Sequence, residues 1–167
     1  GVNKMEQKIL EHIIIEGKGM MVIINKWDLI KKDSYTVKNY TQDIYDQIPA
    51  LSNYPIHFIS VKNNFRVRNL LKDVDIIYKI RKQKISTSVL NDFVKKISSQ
   101  NPPPAVKSKH IKIKYITQIK HSPPSFILFT NYPDLFPEHY KRYIYNQLIK
   151  SFNFKGTPLR LFFRKSE

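Results

Sequence analysis

An apolar run at residues 20–24 leads directly into the tetrad Asn25, Lys26, Trp27 and Asp28. Open α/β sheets build ligand sites in this way, with polar side chains just beyond the carboxyl end of a buried strand. The two carboxylate oxygens of Asp28 can accept hydrogen bonds from N1–H and the exocyclic amine of guanine, whereas adenine has an acceptor at N1. Asn25 is expected to tie the loop to nearby backbone, and the Lys26 stem to lie over the base. The tetrad alone is equally compatible with an ordinary surface loop.

A second strand-and-loop pair follows, because the apolar residues 55–59 indicate another buried strand. In GTPase folds, a Ser-Ala-Lys-like loop after the next strand closes the other side of the base, and a backbone N–H there meets the guanine carbonyl oxygen. Residues 35–48 carry apolar side chains near helical spacing, so the region is predicted to be β-loop-α-β. The two loops together favour a guanine nucleotide site. Its candidate residues are Asn25, Lys26, Asp28, Ser60, Val61 and Lys62.

Length and composition indicate a folded chain. Its 167 residues have room for one domain or two small ones, and contents of 41% hydrophobic and 13% aromatic residues suffice for packed cores. Neither a long apolar run nor a signal-peptide pattern is visible, so no membrane partner is expected. The absence of Cys excludes disulfides and thiol chemistry. The histidines show no metal-ligand spacing and no Ser/His/Asp grouping occurs, so neither a metal site nor catalytic residues are expected.

The net charge of +16 points to a polyanionic partner such as RNA. Residues 1–84 hold 15 basic and 9 acidic residues, a charge of +6, and residues 85–167 hold 14 and 4, a charge of +10. The second half is therefore the stronger candidate for contacting phosphates. The alternative is compositional drift, because an AT-rich genome raises the Lys content without selection for binding.

Two amphipathic helices are predicted beside the two strands, and each has apolar side chains at core spacing. A basic cluster at residues 79–84 either caps the second helix or marks a domain boundary. We take it as a boundary, which predicts domains at residues 1–84 and 85–167. The expected core residues are Met5, Ile9, Leu10, Ile13 and Ile14 within residues 1–19, and Val67, Leu70, Leu71, Val74, Ile77 and Tyr78 within residues 65–83.

The part after the boundary is predicted to be α-β-β-α-β. Its first helix, at residues 86–99, ends before three prolines and is expected to bury Val89, Leu90, Phe93, Val94 and Ile97. Strands are predicted at residues 111–117, 126–130 and 159–164, with a helix at 137–152.

Two of these strands contain basic residues between their apolar residues. In the first, Ile111, Ile113 and Tyr115 alternate with the outward positions Lys112, Lys114 and Ile116; in the last, Arg160 and Arg164 flank apolar positions. Lys112, Lys114, Arg160 and Arg164 are therefore the candidate RNA contacts. The segment has no Gly-x-x-Gly loop, the device with which KH domains clamp nucleotides. RNA binding and docking onto another protein domain both remain open.

Ten short stretches, taken in order, resemble one family: residues 17–19, 25–29, 58–60, 102–104, 112–115, 117–118, 123–124, 140–143, 146–148 and 156–161. The family is that of the tandem-domain GTPases Der, also called EngA, which act in assembly of the large ribosomal subunit. The resemblance covers nearly the whole chain and implies an α/β fold class: a partial P-loop GTPase (Rossmann-like) half-domain, followed by an α+β KH-like domain. It also implies that GTP or GDP binds at Asn25, Lys26 and Asp28, with Ser60 and Val61 as the second guanine contact.

The chain departs from the family pattern in two places. Val61-Lys62-Asn63-Asn64 stands where the family tends to have Ala-Leu-Thr-Gly, and no Gly-x-x-x-x-Gly-Lys-[Ser/Thr] loop, Mg²⁺-binding Thr or Asp-x-x-Gly is present. Phosphoryl transfer depends on those parts to hold phosphates, Mg²⁺ and water. The chain alone is therefore expected to be inactive, as a C-terminal fragment of a GTPase whose Mg²⁺ ligands lie elsewhere.

The resemblance implies three partners besides the nucleotide: rRNA, the large ribosomal subunit and the protein's own N-terminal GTPase domains. The alternative is a non-enzymatic RNA-binding or intramolecular docking module. A bacterial protein of this kind is expected in the cytoplasm, and a eukaryotic one in a plastid or mitochondrion.

Overall fold

The computed structural model describes residues 2–31, 33 and 35–166. It forms two compact units: one comprises the chain up to Ile80 together with Lys155–Pro158, and the other comprises Arg81–Phe154 and the chain from Leu159 onward. The boundary predicted after Lys84 stays a prediction. Over the described residues the elements are α1 (Lys4–Ile15), β1 (Val22–Ile24), α2 (Thr36–Gln47), β2 (Ile56–Phe58), α3 (Val67–Arg81), α4 (Thr87–Gln100), β3 (Ile113–His121), β4 (Pro124–Thr130), α5 (Glu138–Phe152) and β5 (Arg160–Lys165).

The first unit is built on two parallel strands, with Val22 of β1 opposite Ile56 of β2 and Ile24 opposite Phe58. Parallel strands need a crossover, which α2 supplies. A cluster of buried side chains forms the core of this unit, and partly buried residues of α1 pack against it. The buried members are Met20, Ile44, Ile48, Leu51 and Tyr54.

The flanking helices bury less than their sequence patterns predict. On α1, Met5 and Ile9 are exposed, and on α3 only Ile77 is buried among the described residues, while Leu71 is 75% exposed. Val74 and Tyr78 are also exposed, so those core predictions are wrong. A two-stranded sheet is too narrow to cover the whole apolar stripe of each helix.

The segment Lys155–Pro158 completes the first unit through backbone contacts. The Gly156 N–H donates to the Asn53 carbonyl at 2.8 Å, and the Met20 N–H donates to the Gly156 carbonyl at 2.9 Å. Gly156 has a φ of +79°, and a Cβ there would lie 2.8 Å from Cγ1 of Ile77. Only glycine fits this position without strain.

The second unit has the element order α-β-β-α-β and a three-stranded sheet, β3-β4-β5. β3 and β4 are antiparallel, and β4 and β5 are parallel. Contacts place helical and neighbouring residues on one face of this sheet: Phe154 meets Phe126 at 5.9 Å between ring centroids, and Phe136 meets Phe163 at 4.6 Å. The predicted mixed α/β fold class and the α-β-β-α-β order of its second part are confirmed.

Two register shifts in the β3–β4 pair change which β3 side chains face the helices. They fall between Ile113 and Tyr115 and between Gln118 and Lys120. Because an extra residue reverses the alternation of a strand, Ile116 is buried and Tyr115 is exposed, the opposite of the predicted pattern. On α4, Val89 is likewise exposed, whereas the other four predicted core residues are buried.

Candidate nucleotide site and basic sheet face

The loops after β1 and β2 lie side by side, because both begin at the carboxyl ends of paired parallel strands. The Ile59 N–H donates to the Ile24 carbonyl at 2.8 Å, and the Trp27 N–H donates to the Ile59 carbonyl at 2.9 Å. These bonds carry the strand pairing one step beyond the strands themselves. The tetrad therefore starts from a fixed backbone, as a preorganised site requires.

Trp27 anchors the tetrad in the core, a role that motif spacing did not predict. Its side chain is 2% exposed and packs on Phe58 at 4.4 Å and on Tyr40 at 5.3 Å between ring centroids. The preceding residue, Lys26, has a φ of 59° in the left-handed region, and Trp27–Leu29 form a 3₁₀ turn. A large aromatic residue between polar neighbours was the signal for such an anchor.

Asn25 joins the two loops. Its side-chain oxygen accepts a hydrogen bond from the Val61 N–H at 3.2 Å, as expected of a residue that ties the loop to nearby backbone. The same bond occupies the Val61 N–H, the kind of donor that was expected to meet the guanine carbonyl. A ligand at this position would have to share or replace that bond.

A cleft of about 310 Å³ opens beside these loops. The exposed side chains of Asn25, Lys26 and Lys62 and the half-buried Asp28 line it. Its fifth lining residue is Leu29. Four of the six predicted guanine contacts are thus brought together around one opening, with an acidic group and two ammonium groups at its wall.

The other two predicted guanine contacts, Ser60 and Val61, are not among the residues that line this cleft. Ser60 is 2% exposed, and its hydroxyl oxygen accepts from the Asn63 N–H at 3.2 Å, so its side chain is used within its own loop. Asn64 has a φ of 51°. This is the left-handed conformation that glycine favours at such a turn, and Asn adopts it more readily than most residues.

The four predicted RNA contacts are all exposed. The Lys112 N–H donates to the side-chain oxygen of Asn131 at 2.9 Å, which holds the backbone just before β3. Lys114 lies at the first register shift of β3. Arg160 and Arg164 alternate along β5 with Leu161 and Phe163, so they lie on the sheet face opposite the helices.

The described residues contain no cluster of acidic, His or Cys side chains that would hold a metal ion. None of the described helices is long and apolar enough to cross a membrane.

Comparison with known proteins identifies the class of the second unit. Residues 84–164 match the family model described as KH-domain-like of EngA bacterial GTPase enzymes, C-terminal. The chain is also similar along nearly its whole length to proteins named GTPase Der. It is 41% identical to that of Finegoldia magna over 98% of the chain, 38% identical to that of Brevibacillus brevis over 99%, and 39% identical to that of Streptococcus thermophilus over 99%.

The second unit is thus a KH-like domain of the kind found at the C-terminus of a group of GTPases. The chain belongs to the Der (EngA) family. It spans 37% or 38% of the length of these curated relatives.

Proposed function

We propose that this chain is the C-terminal part of a Der-type GTPase, in which the first unit recognises guanine and the second contacts rRNA during assembly of the large ribosomal subunit. The observation that supports the guanine site is the cleft where Asn25, Lys26, Asp28 and Lys62 converge beyond two paired parallel strands. Ligands of open α/β sheets bind at this edge.

The roles of the side chains follow from their donors and acceptors. Asp28 accepts from guanine N1–H and the exocyclic amine, the Lys26 stem covers the base, and Asn25 holds the two loops together. Ser60, Val61 and Lys62 close the other side of the base. Specificity for guanine over adenine arises because adenine has no donor at N1 to offer the carboxylate.

The chain alone should not hydrolyse GTP. Its sequence lacks the loop that cradles phosphates and the residues that hold Mg²⁺. The first unit also leaves apolar surface open: Ile23 of β1 is 44% exposed, and an apolar cleft of about 510 Å³ lies along β1 between α1 and α2. We propose that the remaining strands of the GTPase domain, with the Mg²⁺ and phosphate sites, pack there in the full-length protein.

The RNA role rests on charge. Residues 85–167 carry 14 basic and 4 acidic residues, and the four proposed contacts are exposed. Such a surface binds phosphate backbones with an affinity that falls with salt.

The test of the guanine site is Asp28→Asn in the full-length protein. Replacing the carboxylate with an amide removes two charge-assisted hydrogen bonds, so guanine nucleotide affinity should fall about 100-fold. The amide can instead donate to the extra carbonyl of xanthine, so xanthosine nucleotides should bind better than before. Asp75→Asn, at an exposed position of α3, is the matched control. Unchanged guanine affinity in Asp28→Asn would exclude this site and favour the non-enzymatic RNA-binding or docking role.

A further inference from the structure

The β3-β4-β5 sheet of the second unit has one face that the helices do not cover. The helix-facing side carries Ile116, Phe126 and Phe163, as their burial and ring contacts show. The strand register then shows which residues lie on the opposite face. Its aromatic residues are Tyr115, Phe129 and Phe162, and its basic residues are Lys120, Arg160 and Arg164.

These residues form cross-strand rows. Tyr115 pairs with Phe129 and Phe129 with Arg164, so two rings and a guanidinium lie in one row. The Tyr115 and Phe129 rings are stacked, with centroids 4.3 Å apart and an interplanar angle of 18°. Phe162 lies in the next row, opposite Ile127.

Two of the three rings are accessible to a partner. Tyr115 is 42% exposed and Phe162 is 45% exposed, although both are large and apolar enough to be buried in a typical fold. Phe162 lies between Arg160 and Arg164 along β5. Strand spacing separates Tyr115 from Phe162 by roughly 12 Å.

The positive charge of this face favours a polyanionic partner. Arg160 and Arg164 flank the Phe162 ring along β5, and Lys120 lies in the same cross-strand row as Arg160. Register places no acidic residue among them in the described strands. Exposed aromatic rings interleaved with cations are how proteins hold single strands, since bases stack on the rings and phosphates pair with the cations. The second half of the chain also lacks a Gly-x-x-Gly loop to clamp nucleotides.

We propose that this open sheet face binds single-stranded RNA by stacking unpaired bases on Tyr115 and Phe162, with Arg160 and Arg164 on the phosphates. The inference rests on the proposed RNA role of this domain and names the form of RNA that it takes. A duplex is excluded from the same contact because its bases are already stacked on one another and expose only their edges.

The experiment measures binding of the whole chain to a fluorescein-labelled 12-nucleotide oligouridine and to a 12-base-pair RNA duplex, by anisotropy at several salt concentrations. Tyr115→Leu with Phe162→Leu removes the rings but keeps apolar bulk. It should weaken binding of the single strand about 5- to 100-fold per ring lost, without changing its salt dependence. Arg160→Gln with Arg164→Gln should instead flatten the plot of log affinity against log salt by about 1.4.

Two controls separate stacking from damage to the fold. Tyr115→Phe keeps a ring and should bind as the unaltered chain does, and Tyr35→Leu removes an exposed Tyr of the first unit and should have no effect. If the Leu variant binds like the unaltered chain while the Gln variant is weakened, the stacking role is wrong and the RNA role stands. Equal weakening of single strand and duplex would also overturn it. If the unaltered chain binds neither RNA, the RNA role of the second unit and the stacking of bases on this face are both wrong. Docking onto a protein domain is then the favoured role of the face.

Discussion

The side-chain oxygen of Asn25 lies 3.2 Å from the backbone nitrogen of Val61 and accepts its hydrogen bond across the opening between two loops. One loop follows β1 and the other follows β2, so this bond adds a side-chain link between the two walls of the candidate guanine site to the backbone bonds that Ile59 makes with Ile24 and Trp27. The bond connects residues 36 positions apart in the chain.

Replacing Asn25 should therefore affect binding more than stability. Asn25→Ala removes one exposed hydrogen bond, which should lower the free energy of unfolding by about 1 kcal/mol or less. Guanine nucleotide affinity of the full-length protein should fall by 10-fold or more, because the loop after β2 loses its side-chain link to the tetrad and is positioned less well. Isothermal titration and denaturant unfolding measure the two effects. Asn69→Ala, at an exposed position of α3, should change neither.

Trp27 should be the most costly residue of the tetrad to truncate. Trp27→Ala removes contacts with Phe58 and Tyr40 and leaves a cavity, so the free energy of unfolding should fall by about 3–5 kcal/mol. Trp27→Phe keeps a ring and should cost much less. Unfolding in guanidinium, followed by circular dichroism, tests both variants. A loss below about 1 kcal/mol in Trp27→Ala would show that the tetrad is not anchored through this side chain.

Tryptophan fluorescence should report the first unit alone. The chain has one Trp, and it is buried among side chains of that unit. The midpoint of denaturation followed by Trp27 fluorescence should therefore not change in Leu148→Ala, a substitution that opens a cavity in the second unit. Far-ultraviolet circular dichroism should register the same variant clearly, because α5 contributes to it. Identical shifts of both signals would show that the two units unfold as one.

Gly156→Ala should destabilise the first unit. The new Cβ would meet two side-chain atoms of Ile77, at 2.8 and 2.9 Å, and alanine disfavours a φ of +79°. The free energy of unfolding should fall by about 1–3 kcal/mol in thermal or denaturant melts. Gly19→Ala is the comparison, because its Cβ would lie 3.0 Å from Cγ2 of Ile77 without a positive φ. Equal losses in the two variants would show that backbone strain contributes nothing.

Stability should decline at high pH through Tyr140. Burial is the main cause that raises the pKa of Tyr140 to about 12, and the nearby Tyr143 is the second cause. The Tyr140 hydroxyl donates a hydrogen bond to the Asn101 carbonyl at 2.5 Å. The folded state therefore keeps this proton where the unfolded state, with a pKa near 10, loses it, so the contribution is complete below pH 10 and is lost as pH rises toward 12.

Tyr140→Phe should flatten the pH dependence of unfolding between pH 10 and 12, at a cost of about 1 kcal/mol at pH 7 for the lost hydrogen bond. Tyr132→Phe, at an exposed position, serves as the control. A slope in Tyr140→Phe as steep as in the unaltered chain would assign the alkaline loss to other groups.

Periodicity predicted the order and type of the elements because strongly patterned helices and strands are local properties. Burial was harder to predict, since it depends on what covers each face. Leu71 and Val74 follow the pattern of a core helix, yet the two-stranded sheet beside α3 leaves them exposed. Tyr115 and Ile116 exchanged faces because a bulge in β3 adds a residue that no alternation pattern reveals.

The candidate site was predictable in its residues more than in its geometry. Asn25, Lys26, Asp28 and Lys62 line one cleft, as motif order suggested. The pairing of Asn25 with the Val61 N–H depends on the distance between two loops, and the anchoring by Trp27 depends on Phe58 and Tyr40 from other elements. Both are tertiary relationships that spacing along the chain cannot supply.

The position of Lys155–Pro158 in the first unit has a consequence for biosynthesis. The bonds of Gly156 with Asn53 and Met20 join the first unit to a segment that leaves the ribosome only after residues 81–154. Chains emerge N-terminus first, and loop closure over such a separation costs entropy before the contacts form. The first unit thus acquires its last backbone contacts only after nearly the whole of the second unit has been translated.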